Sequence, residues 1–384
     1  MGKIGTGAAA QGKRTAYINA NVLDGTQGMD VLENHVVVVE GRHIADVVPL
    51  ADADLSGCET FDLKGAYLLP GLINMHVHLA GNGKPQKKQR DNEALVKKIM
   101  ANGLTRAVAY RLVSEYARLE LHSGVTTIRT VGGLGDFDTR VRDDAAAGRL
   151  EAPRILAANM GISVPGGHMA GSVAIAANSI PEALAQVEAA KLQSVDLIKL
   201  MITGGVLDAK EKGTPGELKM EPDMVRAVCD KAHELGFVVA AHVESTEGVR
   251  MAFECGVDSI EHGAAPTDEV MRLFKEGKSF LCTTLSPRFR MLCSIAQSLA
   301  QARSSSLMAI WFSRALSRMP KRPWSRGFLW HLAMTLGVPG SPSMISGASC
   351  VTSRSLLAFR ARLLFIPQHF AMPNLPASAI LRVQ

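Results

Sequence analysis

The residues with the clearest chemical potential close the apolar run Leu69-Pro70-Gly71-Leu72-Ile73-Asn74-Met75-His76-Val77-His78. In an extended chain residues i and i+2 share a face, so His76 and His78 can present two imidazoles to one metal from a strand end. Three further residues occupy comparable places. Lys199 lies inside the apolar segment Asp196-Leu197-Ile198-Lys199-Leu200-Met201. His242 ends Val238-Val239-Ala240-Ala241-His242, and His262 ends Ser259-Ile260-Glu261-His262. A strand-end histidine has an ordinary alternative, a hydrogen bond to a loop carbonyl. A lysine inside an apolar strand is harder to explain that way, because burying an unpaired ammonium costs about several kcal/mol. Such a lysine needs a partner or a modification. Carboxylation by CO2 would turn it into an anionic oxygen ligand able to bridge two cations.

The elements that must position these residues read in two textures. Residues 15–69 contain short β-branched runs, with Glu40-Gly41-Arg42 as a hairpin turn between two of them, and read as a small β domain. From Asn74 strands alternate with helical stretches. Strands are expected over 74–79, 124–130, 154–158, 197–201, 237–242, 259–262 and 279–284. Helices are expected over 92–123, 136–147, 181–194, 221–235, 247–255 and 268–277. Alternation implies an α/β fold with a parallel sheet, and seven strands point to a TIM-like (β/α)8 barrel whose eighth strand is not recognisable. An open doubly wound sheet is disfavoured, because no G-x-G-x-x-G turn follows the first strand. In a barrel, the histidines and Lys199 fall at or near the C-terminal strand ends, the face on which barrel enzymes build sites.

Composition excludes some classes. The chain of 384 residues is 47% hydrophobic and 20% charged, which reads as globular. No apolar run reaches a membrane span. The first fourteen residues lack an apolar signal core, and six cysteines without a C-x-x-C pair suggest reduced thiols. A cytoplasmic location is the default expectation. The net charge of +6 is unevenly distributed: 12 of the 42 basic residues, none of the 36 acidic ones and all three tryptophans follow residue 287. Residues 1–287 therefore carry a net charge of −6.

Taken together, several segments resemble the amidohydrolase superfamily, in particular its imidazolonepropionase-like and metal-dependent dipeptidase-like members. They are Pro70 to His78, Leu121-His122-Ser123-Gly124-Val125-Thr126-Thr127, Ile198-Lys199-Leu200-Met201-Ile202-Thr203-Gly204-Gly205, Ala241-His242 and Ile260-Glu261-His262-Gly263. The resemblance covers about residues 15 to 287. It implies that His76 and His78 bind a first metal, that carboxylated Lys199 bridges two, and that His242 and His262 bind the second. Two zinc ions are the implied cofactor. A bridging hydroxide would attack the carbonyl of an amide, most plausibly in a dipeptide or N-acyl amino acid. His168, in Pro165-Gly166-Gly167-His168, would contact the substrate or else be a plain loop histidine. A small-molecule substrate is expected, without nucleic acid or membrane partners, and a homo-oligomer stays open.

The tail departs from the family pattern. The family places an aspartate at the end of strand eight, and no Asp follows residue 287. Read from the third base of their back-translated codons, Met334-Thr335 and Met344-Ile345 both yield aspartate, and one constant shift fits other family-like segments. Residues 288–384 are therefore expected to be the product of a frameshift near Ser286-Pro287-Arg288. A basic nucleic-acid-binding tail is the weaker alternative, since its arginines are scattered singly. With the aspartate missing, a catalytically dead remnant of the family stands as the alternative to an active hydrolase.

Overall fold

The computed structural model describes residues 13–25, 30–81, 91–205, 216–264, 267–277 and 279–284, and the backbone of 331–333. It divides into two units, one ending at Leu72 and the other beginning at Ile73.

The first unit holds β1 (Arg14–Leu23), β2 (Val31–Glu40), β3 (His43–Pro49), β4 (Glu59–Asp62) and β5 (Tyr67–Leu68). Its sheet runs β3-β2-β1-β4, with β5 also pairing β1. Gly41, at φ +61°, supplies the left-handed residue that the tight β2–β3 hairpin needs. A register shift between Tyr17 and Ala20, with Asn19 at φ +54°, interrupts the alternation of β1. Ala16 and Ala20, which strict alternation would put on one face, thereby join different apolar clusters. A small β-sandwich is the expectation for the N-terminal strands; their described residues form one mixed sheet. Apolar residues lie on both its faces, Val36 in one cluster and Val37 in another.

The second unit alternates strands and helices. Its strands are β6 (Leu72–Val77), β7 (Val125–Thr130), β8 (Arg154–Leu156), β9 (Gly161–Ser163), β10 (Ala174–Ala176), β11 (Leu197–Met201), β12 (Val238–Val243), β13 (Ser259–His262), β14 (Phe280–Thr284) and β15 (His331–Ala333). Its helices are α1 (Asn92–Met100), α2 (Gly103–His122), α3 (Phe137–Ala146), α4 (Ile180–Leu192), α5 (Pro222–Glu234), α6 (Thr246–Glu254) and α7 (Asp268–Glu276). One sheet runs β6-β7-β8 and another β10-β9-β11-β12-β13-β14-β15. Between them Asp196 N donates to Ala157 O at 2.8 Å.

Alternation decides what each strand offers. Ile198, Leu200, Val239, Ala241, Val243 and Ile260 pack with Val187, Val225, Val228 and Ala232 of the surrounding helices. Each Val, Ile or Leu among them contributes about 1.5–3 kcal/mol by burial. The opposite parity, Leu197, Lys199 and Met201, faces the other way, where Leu197 meets Ala240, Val131 and Ala158. This face carries the candidate site.

Two expectations change. The single helix over 92–123 is two, because Asn102 caps α2 by accepting a hydrogen bond from Thr105 N at 3.0 Å. β9 and β10 were not anticipated; three residues give too little pattern to read. β15, three residues long, pairs in parallel with β14, Cys282 opposite His331; the rest of the segment on which the missing eighth strand is expected lies outside the described residues. Strand pairing uses backbone groups that every non-proline residue carries, so a sequence without the family's residues can still pair. The remainder of 288–384, and with it the frameshift reading, lies outside the described residues.

Candidate metal centre

The strand register assembles the centre. Lys199 lies opposite Ala240, Met201 opposite His242, and His242 opposite Glu261, in adjacent parallel strands. Register neighbours share a face, so Lys199, His242 and Glu261 converge. His262 follows Glu261 and by alternation should point away. Its φ of +70° breaks the extended conformation and turns it back, a strained geometry of the kind that clusters at functional sites.

The histidine rings meet edge to face: His76 lies 5.1 Å from His78 and 4.6 Å from His262, and His242 lies 4.6 Å from His262, between centroids. His168 stacks on His242 at 3.9 Å with planes 15° apart. The structure thus brings all four strand-end histidines and His168 together. Gly205 makes room for the stack, since a Cβ there would come within 2.5 Å of His168 Cε1. His122 and His233 stand apart from this group, hydrogen-bonded to Glu151 and Asp258.

Burial sets the protonation states. It lowers His76 to about 4, against an opposing hydrogen bond from Glu261, and lowers His78 to about 3 with help from the His76 charge. It also holds His242 well below the usual imidazole range. All three are neutral at pH 7 and keep a lone pair for a metal. His78 Nδ1 donates to Gly132 O at 2.9 Å, which leaves Nε2 as the ligand atom. Burial likewise lowers Lys199 to about 8, partly opposed by Glu261. Lys199 Nζ and His242 Nε2 are buried and have no hydrogen-bond partner among the described residues. Orphaned buried polar atoms of this kind call for a ligand. A divalent cation held by the imidazoles would satisfy His242 Nε2.

Beneath lies a network that the sequence reading did not single out. Glu261 Oε2 accepts from His76 Nδ1 at 2.7 Å, and Oε1 accepts from Arg129 at 2.7 Å. Burial alone would raise this carboxyl, but Arg129 and His76 together hold it well below the ordinary range. Arg129 also donates to Met75 O at 2.8 Å, tying β7 to β6. Cys282 comes within 4.8 Å of the His76 and Glu261 ligand atoms, and burial pushes its thiol up, so it stays protonated. Glu244, two residues past His242, also went unremarked and lies within 4.8 Å of His242 and His262. Period-two alternation from His242 was the signal that could have found it.

Residues 67–278 match the amidohydrolase family, and residues 16–68 match the NagA composite domain. The first match covers more than half of the sequence. The chain belongs to the amidohydrolase family. Its relatives include imidazolonepropionase of Salmonella schwarzengrund, 34% identical over 119 residues, which is 27% of this chain and 29% of that protein. An uncharacterized protein of Mycobacterium bovis is 29% identical over 248 residues, 65% of this chain and 56% of its own length. The chain thus spans between about a third and just over half of these curated relatives. Among solved structures, a Bifidobacterium longum protein described as a prolidase is 28% identical with a TM-score of 0.60, covering 80% of this chain and 69% of that one. The ochratoxinase of A. niger has a TM-score of 0.66 at 19% identity, over 85% and 77% of the two chains, a likeness of fold. The amidohydrolase neighbours carry a TIM-like barrel with an extra domain, in keeping with the α/β unit and separate sheet seen here.

No helix among the described residues is long and apolar enough to cross a membrane.

Proposed function

We propose that this amidohydrolase is a metal-dependent hydrolase of C–N bonds acting on a small amide, a dipeptide or an N-acyl amino acid. The observation that supports this most is Lys199: a buried lysine without a hydrogen-bond partner among the described residues, on the strand face it shares with His242 and Glu261. With its amine lowered to about 8, roughly a tenth is unprotonated at pH 7 and free to add CO2 as a carbamate. In this reading His76 and His78 hold one zinc, His242 and His262 a second, and carboxylated Lys199 both. When bound, the metals would polarise the scissile carbonyl and lower the pKa of water. The protein's own part is orientation. Glu261 and Gly132 O fix the Nδ1 protons of His76 and His78, and the His168 stack shapes the mouth of the site beside His242, where it can contact substrate. The carbamate-forming lysine favours dipeptides over the cyclic amide that imidazolonepropionase processes.

The second reading, a catalytically dead remnant, follows from the lack of any Asp after residue 287. A panel of dipeptides and N-acyl amino acids, assayed with the chain and a version carrying the restored reading frame, separates the two. Turnover by the restored version alone supports a remnant derived from a hydrolase. Turnover of a cyclic amide but no dipeptide or acyl amino acid by either would overturn the substrate assignment.

A further inference from the structure

We propose that Glu244 is a metal ligand, and that His242, Glu244 and His262 form a His-Glu-His zinc site that is complete without Lys199. This deepens the reading above, on which it rests for the presence of metal. Three observations carry it. The ligand atoms of the three side chains all lie within 4.8 Å of one another. Around a tetrahedral zinc with bonds of roughly 2.0–2.1 Å, ligand atoms stand about 3.4 Å apart, so the set lies within about 1.4 Å of that spacing, and the His262 Nδ1 contact with Thr284 Oγ1 leaves its Nε2 for the metal. Next, His242 Nε2 is buried and has no hydrogen-bond partner among the described residues. A cation supplies what this lone pair lacks. Finally, the backbone is arranged to aim the set. His242 and Glu244 share parity at the end of β12, Glu244 N is pinned by Thr203 Oγ1 at 3.0 Å, and His262 is turned inward by its left-handed φ.

The neighbouring cluster of His76, Glu261 and Cys282 is a poorer candidate. Glu261 is engaged by Arg129, His76 and Ser259, and the Cys282 thiol is protonated. Two histidines and one glutamate are an established ligand set for catalytic zinc and leave a fourth position open. The whole triad lies between residues 242 and 262, so it owes nothing to residues 288–384.

The test is zinc titration of the purified full chain by calorimetry, each form first checked for a cooperative melt. The forms are wild type, Glu244→Gln and the double variant Lys199→Met/His78→Ala, which removes the carbamate and a ligand of the other ion. We expect the double variant to keep one zinc, bound more weakly than in wild type because the carbamate is gone, and Glu244→Gln to weaken that zinc by about a hundredfold. If Glu244→Gln binds as tightly as wild type, the ligand assignment falls while the metal-dependent reading stands. Wild type that binds no zinc overturns both. Should Glu244→Gln not melt cooperatively, the double variant decides alone: a retained zinc supports the site, and a lost one overturns it.

Discussion

Glu261 shows how one side chain serves both stability and site geometry. It is wholly buried and joins Arg129 of β7 to His76 of β6. Replacing Glu261 by Gln leaves the Arg129 guanidinium uncompensated, and we expect a loss of about 3–5 kcal/mol in urea denaturation. Arg129→Met added to it should recover much of that, since the stranded charge goes with it; no recovery would mean that the loss is one of packing. Glu120 is a different case. Burial raises its carboxyl to about 8, with Asn74 opposing. A carboxyl whose folded pKa is raised contributes full stability below its unfolded value of 4.5 and loses it as pH rises through about 8. Glu120→Gln should therefore stabilise the protein at pH 8 by up to about 4 kcal/mol and leave it nearly unchanged at pH 4. Equal effects at both pH values would show that ionisation of Glu120 is not the cause.

Among the elements, α2 depends on its cap. Asn102 starts α2 just after the Ala101 cap of α1, so Asn102→Ala should cost about 1 kcal/mol, read as a lower midpoint with an unchanged denaturant slope. The segment after β11 is governed by close approach. A methyl group at Gly205 would collide with His168 and lie 3.1 Å from His242 Nε2. Gly205→Ala should weaken zinc binding about tenfold or more with little change in melting temperature, because it misplaces ligands rather than core. A large drop in melting temperature with zinc binding intact would reverse that assignment.

For the whole molecule, the question is the seam after β14. β15 offers three residues of pairing there, and residues 288–384 contribute no carboxylate. The missing aspartate would act as general acid and base, so the chain should be at least about a hundredfold less active than its frame-restored version. The comparison is kcat/KM on one shared amide, and equal rates would mean that a carboxylate from elsewhere, Glu244 included, does that work. On the frameshift reading the sequence beyond β14 was not selected to cover the sheet edge, which predicts low solubility and early proteolysis after about residue 285. A soluble monomer with a protected tail would contradict this.

What the sequence determined by itself follows from spacing. His76-x-His78, the lysine within β11 and the strand-end positions of His242 and His262 were legible because period-two alternation and strand–helix alternation are local properties. The composition break at residue 287 was legible for the same reason. Only the tertiary structure decided the rest. Glu261 reads as an ordinary strand residue until Arg129, more than a hundred residues away, closes on it. Cys282 acquires its neighbours the same way. His262 looks wrongly phased until a positive φ re-aims it, and His168 is one loop histidine among others until Gly205 lets it lie flat on His242. These depend on long-range packing and on single backbone torsions, neither of which leaves a periodic trace in the chain.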